Sequence, residues 1–413
     1  MNLPYYIAKR YLLGKKSQNA INIISGISAL GITTGTMALV IVLSVFNGFD
    51  SLVKSLYNTF DPDIQISSVE GKTFSPGPST LQDIRSIPGV SAVSEVLEEN
   101  VLLLYNERQH IATVKGVDEA FTNVSGLDSM IYDGEMKLKD RNRAYAVVGQ
   151  GVAYSLGIGL NFIDPLFIYT IDRTARINMS QPEESIRRNF IYPSGIFAIE
   201  QDYDTRYIIC PIDYVRELLL YPEEVTHLEV KLDPLLPAEE IQNEIMSLLG
   251  EGFHVKNREQ QNEMFYRVMR SEKWAIFLIL TFILIIASFN IVGSLSMLII
   301  DKKKDILTLR NMGAGNSLIK RIFLVEGWLI SVVGSISGLF LGTAISWIQQ
   351  RFGLIKLTGS GSFIIDAYPV QIEIVDIILI WVTVLFIGLI AARYPVQQIS
   401  KKYLAGIEKG SIV

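Results

Sequence analysis

Cysteine and histidine are scarce in this 413-residue sequence, which contains one cysteine and three histidines. Because Cys210 has no second cysteine to pair with, no intrachain disulfide can form, and a lone cysteine is typical of a packed core position. His110, His227 and His254 lie far apart in the sequence, and none has the spacing of a metal ligand. We therefore predict no metal site.

Motifs for catalysis and nucleotide binding are also missing. The sequence has no G-x-S-x-G and no C-x-x-C motif. Gly71-Lys72-Thr73 matches the end of a phosphate-binding loop, but the position that requires the loop's first glycine holds Ile66. Catalytic residues and cofactors are therefore not expected in this chain, which is not predicted to be an enzyme. Any energy that it uses must come from another protein.

Charged residues are few, at 19% of the sequence against 49% hydrophobic residues, and they are nearly absent from four long stretches. These are residues 21–48, 275–300, 322–348 and 374–392. Each exceeds the roughly 18 apolar residues that cross a bilayer, and the only charges in them are Glu326 and Asp376, each near an end. The first stretch is too long for a secretory signal and has no cleavage site. The sequence therefore predicts four transmembrane helices.

Lysine and arginine cluster in the short segments 1–20, 301–321 and 393–413, which the positive-inside rule places in the cytoplasm. The long segment 49–270 and the short loop 349–373 then lie on the opposite side of the membrane. The long segment holds 34 acidic and 20 basic side chains, so an acidic exported domain is joined to a basic membrane part. Nothing in this distribution indicates nucleic-acid binding.

The exported segment has mixed α/β character. Runs of β-branched and aromatic residues between turn signals predict strands at 64–67, 101–105, 111–117, 144–148, 166–171, 190–197, 207–209 and 226–232. Helices are predicted at 78–87, 151–156, 212–220 and 237–249. Because both ends of the segment lead into membrane helices, we expect residues 49–95 and 226–270 to form a membrane-proximal lobe and residues 96–225 an inserted lobe.

Two further segments have distinct character. Residues 1–20 predict an amphipathic helix on the cytoplasmic membrane surface, although a simple basic flank of the first membrane helix is the alternative. The polar, arginine-rich segment 172–188 lies between two predicted strands and predicts a long exposed loop. Such a loop is either functional or a solvated hairpin tip.

Small residues recur at four-residue spacing in two of the membrane helices, where they predict close helix packing. They are Gly31 and Gly35 in the first helix and Gly334, Gly338 and Gly342 in the third. Asn290 in the second helix predicts a hydrogen bond to a neighbouring helix rather than a substrate contact.

The two acids in the membrane helices are expected at their ends. Glu326 lies one turn into the third helix, where it is expected to pair with Arg321 or Arg393 or to hold the adjacent cytoplasmic segment. Asp376 is expected to be an interfacial acid or one that favours a helix N-terminus.

The cytoplasmic segment 301–321 predicts a short helix with an apolar stripe beside a basic one, followed by a turn at Gly313 and Gly315. Such a helix either lies on the membrane or inserts into a groove of a soluble partner, and the residues alone favour neither.

Motifs before, within and after the second membrane helix resemble those of lipoprotein-releasing (LolC/LolE) permeases, which belong to the MacB-like and FtsX-like class of ABC transporters. They are Glu272-Lys273, SFNIVGSLSML and DKKKDILTLRNMGAG, with Asn262 and Phe265 upstream. The opening PYYIAKRYLLGKK and, in the exported domain, VVGQGVAYSLGI and YPSGIF are also similar to family landmarks. The resemblance therefore covers most of the chain.

The resemblance implies a permease of the bacterial inner membrane with cytoplasmic termini and a periplasmic domain. Two permease subunits, identical or paralogous, would pair with a separate cytoplasmic ATPase that binds the ATP and magnesium. The complex would extract lipoproteins from the outer leaflet and pass them to a periplasmic carrier. The ATPase would push a coupling helix that contains Asp305, Ile306, Leu307, Leu309, Arg310, Met312, Gly313 and Ala314. The carrier would bind the loop at Gln181, Pro182, Arg187 and Arg188.

Two other functions stay open from the sequence. A related MacB-type or FtsX-type permease would export another substrate or activate periplasmic cell-wall hydrolases. A membrane-anchored binding or sensory protein would have no motor at all, although a cytoplasmic lever without an attached enzyme domain makes this a weaker interpretation.

Overall fold

The computed structural model describes residues 3–13, 19–141, 143–160, 164–173, 186–356 and 367–399. The chain divides into two compact units. We call Met1–Leu52 together with Arg267–Val413 the helical unit, and Val53–Tyr266 the sheet unit. Helices and strands are numbered in chain order over the whole molecule.

Four helices among the described residues are long and apolar enough to cross a membrane, which confirms the predicted number. They are α2 (Asn19–Phe60), α10 (Glu263–Asp301), α12 (Asn316–Phe352) and α13 (Ile374–Ile399). Each extends beyond the predicted apolar stretch, and α2 continues twelve residues past residue 48. A helix outside the bilayer no longer needs apolar side chains on every face, so apolar length underestimates helix length. Two short helices, α1 (Leu3–Leu13) and α11 (Lys303–Asn311), also belong to the described part of the helical unit.

Glycines allow the close approach of α12 to α2. A Cβ atom added at Gly338 would lie 2.6 Å from the carbonyl oxygen of Thr33, and one added at Gly342 would lie 2.8 Å from Cβ of Val40. The carbonyl of Gly334 accepts a hydrogen bond from Oγ1 of Thr33 at 3.2 Å. The space that side chains would occupy on this face of α12 is therefore filled by α2.

Gly31 and Gly35 of α2 lie toward α10 instead. A Cβ atom added at Gly35 would lie 2.9 Å from Cδ1 of Leu284, and one added at Gly31 would lie 3.5 Å from Nδ2 of Asn290. The carbonyl oxygen of Asn290 accepts a 2.9 Å hydrogen bond from Oγ of Ser28. Asn290 thus contacts α2, and the interhelical hydrogen bond is made by its main chain.

A polar cluster joins α2, α10 and α13. Nζ of Lys273 lies 3.0 Å from a carboxylate oxygen of Glu373 and 3.0 Å from one of Asp376. Asp376 also accepts a 2.7 Å hydrogen bond from Nδ2 of Asn47. Asp376 lies in the first turn of α13. The Asp376 carboxylate therefore connects three membrane helices.

Eleven strands belong to the described part of the sheet unit. They are β1 (Ile64–Ser68), β2 (Val90–Tyr105), β3 (Arg108–Val117), β4 (Ile131–Gly134), β5 (Lys139–Asp140), β6 (Arg143–Gly149), β7 (Leu166–Ile171), β8 (Ile186–Phe197), β9 (Tyr207–Pro211), β10 (His227–Leu232) and β11 (Phe253–Asn257). The main order is β11-β1-β10-β2-β3-β9-β6-β8-β4, with β5 on β6 and β7 on β2 and β8. The β3–β9 and β6–β8 pairs are parallel and the others antiparallel.

Seven α-helices accompany these strands in the described residues, so the mixed α/β prediction is confirmed. They are α3 (Pro78–Ser86), α4 (Phe121–Val124), α5 (Gln150–Leu156), α6 (Gln201–Asp204), α7 (Ile212–Leu219), α8 (Ala238–Leu249) and α9 (Arg258–Gln261). Cys210 is fully buried in the core, and this burial raises the pKa of its thiol.

The first and last strands of the sheet unit are neighbours. β1 pairs with both β10 and β11, so the segments that enter and leave the unit lie side by side. The sequence predicts a boundary between two lobes of the domain at residue 95, and β2 runs across it. β2 pairs with β10 of one predicted lobe and with β3 of the other. The sheet path therefore runs continuously through both predicted lobes.

We expect Gly338→Ala to destabilise the helical unit, because the added methyl group would overlap α2. Overpacking of this kind costs about 1–3 kcal/mol. Gly293→Ala in α10 is the matched control, since no atom lies within 4 Å of its added Cβ. Thermal unfolding of the detergent-solubilised chain should show a lower Tm for Gly338→Ala alone. Equal Tm values for both variants would contradict the close contact.

We also expect Lys273→Met and Asp376→Asn to be non-additive, because each removes the same ion pair. A double-mutant cycle should give a coupling free energy of about 1 kcal/mol or more, the range expected for residues in one network. The measurement is chemical denaturation of the four proteins in micelles. Strictly additive effects would show that this contact contributes nothing to the packing of the three helices.

Candidate functional site

The first candidate site is α11, the short helix between α10 and α12. It ends where Gly313 adopts a φ of +92°, a conformation that side chains rarely allow. The amide of Gly313 donates to the carbonyl of Arg310 at 2.9 Å, and the amide of Ala314 donates to that of Leu309 at 3.0 Å. These bonds satisfy carbonyls of the last turn and let the chain turn into α12.

The residues of the predicted coupling helix divide between two surroundings. Ile306 packs against a buried cluster at the ends of the long helices, made of Leu298, Ile299, Ile319, Phe323 and Val396. Asp305, Leu307, Leu309, Arg310 and Ala314 are half-buried. Met312 is 72% exposed. The predicted apolar stripe therefore begins at Ile306, which packs on the long helices, and ends at Met312, which is exposed to solvent.

The N-terminal helix α1 also contacts this region. Nζ of Lys302, the residue just before α11, lies 5.3 Å from the centroid of the Tyr11 ring, a cation–π distance. Nζ of Lys302 is also 3.8 Å from a carboxylate oxygen of Asp305. α1 thus contacts the residue that precedes α11 through one aromatic side chain.

Glu326 differs from its predicted environment. Its side chain is completely buried in α12, and neither carboxylate oxygen has a hydrogen-bond partner among the described residues. The predicted pairing with Arg321 or Arg393 is therefore wrong for this structure. The sequence placed Glu326 near the water interface, but the packing of the neighbouring helices covers it.

The second candidate site is the hairpin of β7 and β8. Arg187 and Arg188, which the sequence placed in a loop, lie in β8 opposite Thr170 and Tyr169 of β7. The loop prediction is wrong at these two positions because β8 begins earlier than its apolar residues indicate. Gln181 and Pro182 fall outside the described residues.

The two arginines of the hairpin have different contacts. The guanidinium of Arg188 lies 3.9 Å from the centroid of the Phe167 ring, a cation–π distance. Arg187 lies 3.7 Å from a carboxylate oxygen of Asp172. Ile171 and Phe190 are exposed on the same hairpin. The hairpin therefore presents cationic and apolar groups together, a combination suited to a protein surface.

The sheet unit also contains cavities. One of about 520 Å³ is lined by Glu135, Lys137, Arg143, Tyr145 and Tyr192, among others. Within the described ranges, no group of three or more histidine, cysteine or acidic side chains has the geometry to hold a metal ion.

Sequence reasoning missed a buried ion pair between Lys115 of β3 and Glu229 of β10. Their side chains are 2% and 1% exposed, and Nζ lies 2.6 Å from Oε1. The signal that could have found it is a charged residue flanked by apolar ones in each strand, ATVKGV and HLEVKL. Charges at such positions are rarely buried without a partner.

Comparison with known proteins agrees with this arrangement of helices and domain. Residues 25–248 match the MacB-like periplasmic core domain, and residues 277–404 match the FtsX-like permease C-terminal. The chain is 26% identical to the lipoprotein-releasing system transmembrane protein LolE of Haemophilus influenzae, over 97% of this chain and 98% of that protein. It is 24% identical to the corresponding LolC of Xylella fastidiosa, over 97% of both. The periplasmic region of MacB from Actinobacillus actinomycetemcomitans aligns with 51% of this chain and 94% of its own, at a TM-score of 0.37 and 10% identity.

The match to the periplasmic core domain alone covers more than half of the chain, and the relatives extend over nearly all of it. The segment between the first two membrane helices is therefore a periplasmic domain, and the chain belongs to the MacB-like permease family as a member of the LolC/LolE type.

Proposed function

We propose that this protein is the permease subunit of a lipoprotein-releasing ABC transporter. It extracts lipoproteins from the outer leaflet of the bacterial inner membrane and passes them to a periplasmic carrier. The observation that carries this proposal is the near full-length similarity to proteins named LolE and LolC. The chain itself is not an enzyme in this scheme.

A separate cytoplasmic ATPase drives the permease and binds the ATP and magnesium. The side chains of α11 suit contact with such a partner, because Ile306 is anchored on the helical unit while Met312 is exposed. An exposed apolar side chain beside lysines and an arginine can enter a groove of a soluble protein. Both termini are then cytoplasmic, on the same side as α11.

The periplasmic carrier binds the β7–β8 hairpin. Arg187 and Arg188 lie at the start of β8, and the exposed apolar side chains of Ile171 and Phe190 lie on the same two strands. A second permease subunit, either another copy or a paralogue, completes the complex.

Affinity purification of the intact protein from its native membrane tests the proposal. Recovery of an ATPase together with lipoproteins is the expected result. An ATPase recovered with cell-wall hydrolases or an outer-membrane channel would favour the related FtsX-type or MacB-type function, to which the match at residues 277–404 also applies. Recovery without any ATPase would contradict a motor-driven permease.

We expect Leu309→Pro to uncouple ATP hydrolysis from lipoprotein release. Proline inside α11 removes a helix hydrogen bond and clashes with the preceding turn, at a cost of about 3 kcal/mol to that helix. Release by the reconstituted complex should fall at least tenfold, while the Tm of the permease stays within a few degrees. Leu309→Met, which conserves volume, should keep normal release. Normal release by Leu309→Pro would show that α11 is not the coupling helix.

We expect the double variant Arg187→Glu with Arg188→Glu to weaken carrier binding, because it reverses two charges of the hairpin. The measurement is the Kd of the carrier for the full chain, which should rise at least tenfold. A double variant with the same charge change on other exposed residues, Arg141→Glu with Lys256→Glu, controls for the net charge of the domain. An equal rise in Kd for both double variants would exclude specific binding by the hairpin.

A further inference from the structure

The segments that enter and leave the periplasmic domain are bound to each other by side chains. The entering segment is the end of α2 and the start of β1, and the leaving segment is α9 with the start of α10. Four contacts connect them: Asp61 to Asn262, Pro62 to Gln261, Asp63 to Arg258, and the ring of Tyr57 on that of Phe265. The two rings are stacked, with centroids 4.8 Å apart and planes 27° apart.

Asp61 has a further partner on a third segment. Oδ2 accepts a 2.5 Å hydrogen bond from Nδ2 of Asn262, and the hydroxyl of Tyr203 donates to Oδ1 at 2.9 Å and to Oδ2 at 3.0 Å. Tyr203 lies in α6, six residues after the end of β8. One carboxylate therefore holds the entering segment, the leaving segment and α6, whose Tyr203 belongs to the same buried cluster as Phe197 at the end of β8.

The charge of Asp61 is partly balanced by its surroundings. Burial raises the pKa of Asp61, against the stabilising effects of the Tyr203 hydroxyl, the Lys115 cation and the Asn262 amide. Removal of one of these donors destabilises the buried carboxylate, because the group stays shielded from water and then lacks a hydrogen bond. The position of the Asp61 carboxylate is consequently sensitive to displacement of any partner.

The Lys115 cluster fixes the neighbouring residue, Phe60. Nζ of Lys115 lies 4.3 Å from the centroid of the Phe60 ring, 2.6 Å from Glu229 and 3.6 Å from Glu98. Burial opposes the charge of Lys115, but Glu229 and Glu98 overcome it and raise the lysine's pKa. Glu229 is also buried, and Lys115 lowers its pKa. Lys115 is thus a fixed cation beneath the last residue of α2.

Buried ion pairs of this kind give little stability compared with apolar residues of the same volume. What they do give is a defined geometry, since Lys115 contacts β10, β2 and the end of α2 at once. The cluster therefore specifies where Phe60 and Asp61 lie on the sheet.

We propose that Asp61 is a positioning residue that links the ends of α2 and α10 to β8, so that displacement of these membrane helices reaches the β7–β8 hairpin. That the ATPase drives this displacement rests on the proposed function, whereas the link itself does not. The acting contacts are the hydrogen bonds of Asn262 and Tyr203 to the Asp61 carboxylate.

Hydrogen–deuterium exchange of the full chain in lipid nanodiscs tests the link without any transport assay. Asn262→Ala removes the donor of the leaving segment. The readout is exchange at the amides of β8 from Ile191 to Phe197, except at Pro193, which has no amide hydrogen. We expect about tenfold faster exchange there. The reciprocal variant, Tyr203→Phe, should accelerate exchange at residues 257–266 by a similar factor. A purely structural role for each side chain would alter exchange only at its own segment.

Tyr207→Phe is the matched control, because it removes a hydroxyl from the same aromatic cluster. The Tyr207 ring lies 5.0 Å from that of Phe60, and the side-chain donors to Asp61 among the described residues are Tyr203 and Asn262. The proposal would be overturned if Asn262→Ala and Tyr203→Phe accelerated amide exchange at the distant segment no more than Tyr207→Phe does.

A second measurement connects the link to transport. In the reconstituted complex, Tyr203→Phe should leave ATP hydrolysis within twofold of normal and reduce lipoprotein transfer to the carrier about tenfold. Normal transfer would overturn the role of Asp61 in coupling. If the unsubstituted protein releases no lipoprotein, the proposed function fails, while the exchange experiment still decides whether the link exists.

Discussion

The hydrocarbon of a bilayer offers no hydrogen-bonding partners to a polypeptide backbone, and this constraint determines the helical unit. Each crossing segment has to be a helix, and without water to drive apolar association the helices must pack through shape. Gly334, Gly338 and Gly342 provide that shape by leaving room for α2. Lys273 and Asp376 are accommodated as an ion pair. Irregular turns such as that at Gly313 occur at the ends of the long helices.

The periplasmic domain meets a different constraint, because it is connected to the membrane helices at both of its ends. Neighbouring strands β1, β10 and β11 bring the two connections together, and Asp61, Asp63 and Tyr57 bind them laterally. A domain attached through two unlinked segments would let each helix move without the other. Side-chain contacts between the two segments prevent this independent movement, and they lie where α2 ends and α10 begins.

Much of this architecture follows from the sequence alone, since uncharged runs and alternating strands are strong local signals. The signals fail where tertiary contacts decide. Only residues 101–105 of β2 were predicted, because its first half carries Ser94, Glu95, Glu98 and Glu99 among its apolar residues. β11 was missed because FHVKN is short and half polar. The burial of Glu326 and the pairing of Lys115 with Glu229 depend on segments far apart in the chain, which a local pattern does not bring together.

The burial of Cys210 has a practical consequence for spectroscopy. A thiol that is 0% exposed and whose pKa is raised by burial presents almost no thiolate to maleimides or spin-label reagents. Because the chain has no other cysteine, the natural sequence already serves as a silent background for site-specific labelling. Pairs of cysteines introduced on α11 and on the hairpin can therefore report distances during turnover without first removing a core side chain, a substitution that would itself leave a cavity in the sheet unit.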